Sequence, residues 1–214
     1  MALGRLARQL ERRLRAIEGG IDKAMTSSVW DDRLSRWAMQ DGYLSQAWQA
    51  WGVFCRELIM GSARGSPTSN NGATGSPHAA RPVPELAWIG MKAGKGDPVG
   101  VIRPIAAMRN EPTWGDIGKF TQIVQAYNLV NENTVLSGVL SAGRVVRHMQ
   151  TIRNATAHTN TETIGEVRQL ARFYVATPIR MPGDAIFWLD PVSGDFIYRA
   201  WTVRMVAAAN QAVA

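Results

Sequence analysis

Apolar side chains recur at steps of three and four along most of this chain, a period that suits α-helices burying one face against one another. Leu3, Leu6, Leu10, Leu14, Ile17, Ile21 and Ala24 form one such stripe, with Arg5, Arg8, Glu11, Arg12, Arg13 and Arg15 off it. The pattern predicts a helix over 3–25 that buries its leucines in a bundle and leaves a basic face in water. A second helix is expected over 28–60, where Trp30, Leu34, Trp37, Leu44, Trp48, Trp51, Cys55 and Leu58 keep steps of three, four or seven. Asp31 and Asp32 stand in its first turn, where the helix dipole favours them, and Gly42 marks a candidate kink. Four tryptophans on one stripe read as core rather than as a base-stacking platform, because so large an apolar ring gains most from burial.

Residues 61–112 change character. They hold seven of the ten prolines and eight of the 20 glycines, with SPTSNNGATGSP at their heart. A long, partly mobile loop insertion is expected there. Within it ELAWIG and PVGVIRP are expected to pair as a small hairpin across KAGKGD. The glycines of GMKAGKGDPVG miss the G-x-G-x-x-G spacing and no G-K-[ST] follows, so this run reads as a turn and not as a phosphate loop.

The helical period returns at Thr113, which with Asp116 resembles a capping arrangement ahead of Ile117, Phe120, Val124 and Tyr127. NENT predicts a break. One further helix carries Val135, Val139, Ala142, Val146 and Met149, and its next step of four lands on Arg153. An apolar face thus ends in an arginine. Thr163 and Glu166 form a T-x-x-E box that predicts the start of another helix, through Val167, Leu170 and Tyr174. AIFWLDPVSGDFIYRAW reads as a strand, a Pro/Gly turn and a strand, followed by a short Ala-rich helix. The expected fold is mainly α: an antiparallel helical bundle over 1–177 with the loop insertion 61–112, and a C-terminal hairpin plus helix, 178–214, packed on the same domain.

Composition narrows the function. Cys55 is the single cysteine, which excludes an intrachain disulfide and a Cys-built zinc site, and three histidines (His78, His148 and His158) argue against a His-rich metal site. No metal and no cofactor is expected. No run of eighteen apolar residues offers a membrane span, and the first twenty residues lack a secretory apolar core, so a cytoplasmic protein is expected. The net charge is +7, with only four lysines among the 24 basic residues. Arginine's planar fork matches phosphate oxygens, so a polyanionic partner fits this balance.

The chemistry concentrates in one place. Residues 133–161 contain Arg144, Arg147, His148, Arg153 and His158 and no acidic side chain. Inside them, IRNATAHTN holds Arg153-Asn154-x-x-x-His158. This R-N-x3-H pattern resembles the R-x4-6-H motif of the HEPN superfamily, helical domains many of which are metal-independent endoribonucleases. The resemblance covers about 45 residues, 135–175, and identifies no subfamily. It implies a HEPN-like bundle, Arg153, His158 and Asn154 as catalytic residues, RNA as substrate, and a homodimer whose two motifs share one cleft. It also implies a growth-arresting role, as a toxin held by an antitoxin or as an effector of phage defence. Arg144, Arg147 and His148 are candidates for a substrate-binding track beside it. Some HEPN domains are inactive, so a non-catalytic helical dimer acting as a nucleic-acid-binding or scaffold module is the alternative.

Helix geometry bears on that motif. Five residues span roughly 500° of an unbroken helix, which points Arg153 and His158 about 140° apart. Either the helix breaks near Asn154 and Ala157, or the two residues meet across a dimer axis. Cleavage by a ribose 2′-hydroxyl needs a base, an acid and a cation for the phosphorane, and a two-fold pair would supply two histidines and two arginines. Histidine suits both proton-transfer roles because it ordinarily titrates near neutrality.

Overall fold

The computed structural model describes residues 2–214. Its helices are α1 (Gly4–Met25), α2 (Arg33–Ala63), α3 (Val83–Gly94), α4 (Ile117–Ala126), α5 (Glu132–Ser141), α6 (Gly143–Ala157), α7 (Thr161–Leu170) and α8 (Ile197–Ala212), joined by short 3₁₀ turns. The chain is mainly helical, as the period requires. It forms two compact units, one from the residues up to Leu10, Trp51–Gly143 and Val206–Ala214, the other from Glu11–Ala50 and Arg144–Met205.

In the first unit α3 packs on α4, and α4 on α5. Leu58, Ile59, Leu86, Ile89, Phe120, Ile123, Val124, Tyr127, Val135 and Val139 are fully buried. Each such large side chain contributes about 1.5–3 kcal/mol. Gly90 lies under Trp114 and Tyr127, and a Cβ there would stand 2.4 Å from the indole of Trp114. Gly138 meets the backbone of Ala212 just as closely, so only glycine admits the approach of α8. Arg56 grips Glu111 with a fork of two bonds, 2.6 and 2.8 Å, and Trp114 donates to the same carboxylate at 2.7 Å. Burial pushes the Glu111 carboxyl up, but Arg56 and Trp114 outweigh it and hold the group ionised.

Two expectations fail in this unit. ELAWIG is not a strand but the middle of α3: Val83 and Pro84 open the helix, Glu85 sits in its first turn, and Leu86, Ala87, Ile89, Gly90 and Ala93 make its buried face. The 3.6 period outweighs the local β-propensity of Trp and Ile. The break expected at NENT falls earlier, because Asn128 takes φ +48° and Asn131 precedes α5. Between α2 and α3 the backbone is irregular. It is tied by Leu3 N–H to Pro67 O, Ser69 N–H to Val213 O and Val130 N–H to Gly75 O.

The second unit buries Leu14, Ile21, Leu44, Val146, Met149, Ile152, Val167, Trp188, Ile197 and Trp201. Of the four tryptophans on the 28–60 stripe only Trp51, in the first unit, is fully buried; Trp37 is 36% exposed and Trp30 and Trp48 are half-buried. The Trp-rich core expected there therefore reduces to one ring. α2 runs through Gly42 without interruption.

The C-terminal hairpin is also overturned. Pairing there is limited to isolated bridges, Val175 with Leu189 and Leu189 with Phe196. The first supposed strand coils as a 3₁₀ turn, Pro182–Phe187, because Asp184 accepts the backbone N–H groups of Arg180 and Met181 just ahead of Pro182. The second opens α8, where Ile197, Trp201, Met205 and Ala208 are buried at helical steps.

Candidate active site at the end of the sixth helix

The apolar stripe leading to Arg153 is divided between two helices. α5 ends at the C-cap Ala142 and α6 begins at Gly143, so the single helix expected from Val135 is split, although every member of the stripe is buried. α6 then runs through Arg153 and Asn154 and ends at Ala157, the second of the two expected break points, so that His158 stands just past it. The N–H of His158 still donates to the carbonyl of Asn154 at 2.9 Å, so the helix does not break near Asn154. Within one chain the motif's two ends diverge by about 140°, and no hydrogen bond joins them among the described residues.

Each residue of the motif has its own setting. Arg153 is half-buried; its Nη1 donates to Asn154 Oδ1 at 3.3 Å, and its Nε is enclosed with no partner. An enclosed N–H without an acceptor costs about 1–3 kcal/mol, which an arriving anion would relieve. Ile152 and Ala155 on either side are fully buried and fix the turn. Thr156 is 5% exposed and donates to Asp41 Oδ1 of α2 at 2.8 Å.

His158 is exposed, and its ring has no partner among the described residues. Its backbone is held tightly instead. Thr163 Oγ1 and Asn160 Nδ2 both donate to His158 O, at 2.9 and 3.2 Å. Asn160 caps α7: its Oδ1 accepts from Thr163 N at 3.0 Å, while Thr163 Oγ1 accepts from Asn160 N at 3.1 Å. The T-x-x-E box expected at Thr163 and Glu166 is thus displaced by three residues, with Thr163 answering the cap rather than forming it. The short Asx side chain wins because it reaches both the first turn of α7 and the His158 carbonyl. Asn160, Thr156 and Asp41 support the motif and were missed in the sequence, where Thr163 was read only as a helix cap. An Asn two residues after the histidine was the one signal for them.

His148 has a different fate. It is 7% exposed, with its Nδ1 2.6 Å from Tyr174 Oη, which also accepts from Trp201 Nε1 at 3.2 Å. Trp201 can only donate, which leaves the Tyr174 hydroxyl with its own proton and a second lone pair to share with His148 Nδ1. Burial first, and then Arg144, Arg147 and Arg172, push the imidazole down to about 4. Phe173 lies 5.0 Å from the His148 ring and carries Arg172 at 4.8 Å on its own ring. Of the three residues expected to form a track, Arg144 and Arg147 are exposed, whereas His148 is internal and neutral near pH 7. Arg172 joins those two in sequence-distant company that no spacing announces.

Among the described residues no three side chains of His, Cys, Asp or Glu gather as metal ligands, and no helix is long and apolar enough to cross a membrane. No protein-family model, no curated protein and no solved structure matches this chain.

Proposed function

We propose that this chain is a metal-independent endoribonuclease of the HEPN type, working as a two-fold pair in the cytoplasm. The observation that carries the reading is an Arg153 Nε without a partner and an exposed, unpartnered His158, both at the C-terminal end of an acid-free helix. The guanidinium has donors unspent within its own chain and the imidazole is open, and both groups suit a phosphodiester.

Their divergence on one helix gives the dimer its purpose. Two copies with their 152–160 segments facing would set two imidazoles and two guanidinium groups around one phosphate. One His158 takes the proton of the ribose 2′-hydroxyl as its oxygen attacks phosphorus. The second copy's His158 gives a proton to the 5′-oxygen as the P–O5′ bond breaks. Both Arg153 side chains hold the phosphorane charge, and both Asn154 side chains orient Arg153. The products are a 2′,3′-cyclic phosphate and a 5′-hydroxyl. Arg144 and Arg147 would track neighbouring phosphates. Such activity fits a growth-arresting toxin or phage-defence effector, held in check by an antitoxin or another partner of the same system.

The test is cleavage of RNA in EDTA by wild type and by His158→Ala, with the product ends identified by mass. Loss of cleavage in the variant supports the reading. Equal cleavage by purified, folded variant overturns it and leaves a helical binding or scaffold module.

A further inference from the structure

A second feature of the Glu11–Ala50 and Arg144–Met205 unit has no part in that chemistry. Trp30, Phe187 and Phe196 form an edge-to-face array, with centroids 5.2 Å apart at 86° and 5.7 Å apart at 87°. All three rings are half-buried, and they line a cavity of about 510 Å³. That is within the roughly 300–1,000 Å³ of small-molecule sites. Rings left half-open at a cavity wall forgo part of the gain that burial would bring, and they offer flat apolar faces to whatever enters.

The polar groups of the wall are selective. Arg36 stands 5.9 Å from the Trp30 ring and Arg180 is exposed at the mouth; neither forms an ion pair among the described residues. The one carboxylate in the wall, Asp184, is already occupied. It accepts from the backbone N–H groups of Arg180 and Met181, each at 2.9 Å, and from Gln40 Nε2 at 3.1 Å. Gln40 is 1% exposed, and with Nε2 engaged its Oε1 has no donor. The cavity thus combines aromatic faces, two unpaired guanidinium groups and one free amide oxygen. Flat π-rings take a planar ring, guanidinium takes phosphate, and an amide oxygen takes an exocyclic amine.

We infer that this cavity is a nucleotide subsite. An unstacked base stacks on the Trp30 ring and is flanked by Phe187 and Phe196, its phosphate meets Arg36 and Arg180, and Gln40 Oε1 accepts from the base edge. The neighbouring residue ties the cavity to the motif. Gln40 faces the cavity and Asp41 accepts from Thr156 on the last turn of α6, so two consecutive residues of α2 reach the two places. Resting on the endoribonuclease reading, the occupant is a nucleotide of single-stranded RNA close to the cut, because a duplex keeps its bases stacked. A free nucleotide shares this chemistry and is separated by the experiment.

The experiment measures binding rather than cleavage. Fluorescein-labelled single-stranded 12-mer RNA is titrated into the full-length His158→Ala protein, followed by anisotropy. An abasic 12-mer of equal charge, a duplex 12-mer, and AMP and CMP as competitors run in parallel. Trp30→Ala in that background should weaken the single-stranded RNA about tenfold, the effect of one lost base stack, and leave the abasic oligomer unchanged. Arg36→Ala with Arg180→Ala should weaken both oligomers and lower the salt dependence. Trp30→Phe, which keeps a ring, should bind within about threefold of its parent and guards against misreading a folding defect.

Unchanged RNA binding in folded Trp30→Ala overturns the inference. So does an abasic oligomer that binds as tightly as the base-bearing one. AMP or CMP binding as tightly as the 12-mer, with the same Trp30 sensitivity, assigns the cavity to a free nucleotide and overturns its place on the RNA chain. The two readings fail separately. Undiminished cleavage by His158→Ala removes the catalytic one, and normal RNA binding by Trp30→Ala removes only this one.

Discussion

His148 and His158 sit ten residues apart, the first midway along α6 and the second just past its end, and the fold gives them opposite settings. The first is enclosed beside Phe173 and Tyr174, hydrogen-bonded to the Tyr174 hydroxyl, and its titration is pushed well below the usual imidazole range. The second is exposed, with its backbone clamped by Asn160 and Thr163 and its ring left open. Both lie in the same acid-free stretch among arginines. Charge along the sequence therefore does not separate them. What separates them is whether a neighbouring element covers the ring, and burial then makes the nearby arginines a force that expels a proton.

The sharpest way to break this contrast is to exchange the losses. His158→Ala should reduce RNA cleavage at least 10²-fold, the low end for general acid–base catalysis, with the unfolding midpoint unchanged. Arg153→Ala should match it, and the double variant should be little worse than either single one, since both act on one phosphoryl transfer. Arg153→Lys should rescue poorly, because an ammonium lacks the bidentate fork. Steady-state cleavage rates and thermal melts on the same preparations check all three.

His148→Ala should do the reverse. It opens a cavity and strands the Tyr174 hydroxyl, so urea unfolding should show a loss of about 2–4 kcal/mol, while the folded fraction cleaves RNA within a few-fold of wild type.

The pH dependence sharpens the same point. Between about pH 6.5 and 4 the unfolded chain accepts a proton on His148 that the folded chain refuses, so stability should fall as pH drops through that window. After solvent screening this is on the order of 1–2 kcal/mol. His78 is lowered too, by burial and by Arg81, and adds the same sign. The measure is therefore the difference between wild type and His148→Phe, whose urea midpoint should depend less on pH over this range.

The smallest effect belongs to the clamp. Asn160→Ala removes the cap of α7 and one bond to the His158 carbonyl. It should cost about 1 kcal/mol in stability and lower cleavage several-fold, with Asn160→Asp restoring most of the stability. An unchanged cleavage rate would show that the imidazole needs no such positioning.

Much of the fold and part of the site were written in the residues. The stripe of Val135 to Met149 is buried throughout, and that of Leu3 to Ala24 buries Leu3, Leu10, Leu14 and Ile21 and leaves Leu6, Ile17 and Ala24 half-buried, because a period of 3.6 leaves an amphipathic segment only one efficient way to leave water. Arg153, Asn154 and His158 were legible as candidates through their resemblance to a known motif inside an acid-free stretch. The tertiary structure decided what local pattern leaves open. ELAWIG and DFIYRAW carry strand-forming residues, yet each became helical because neighbouring elements offered cover to one face of a helix. The division at Ala142 and the unbroken turn at Asn154 followed from backbone hydrogen bonds that side-chain period does not encode. His148 owes its neutrality to burial beside Phe173 and Tyr174, 25 and 26 residues further on, and then to Arg144, Arg147 and Arg172, and Gln40 meets Asp184 across a separation of 144 residues. Contacts of that range depend on how the helices pack, so they were settled only when the chain closed on itself.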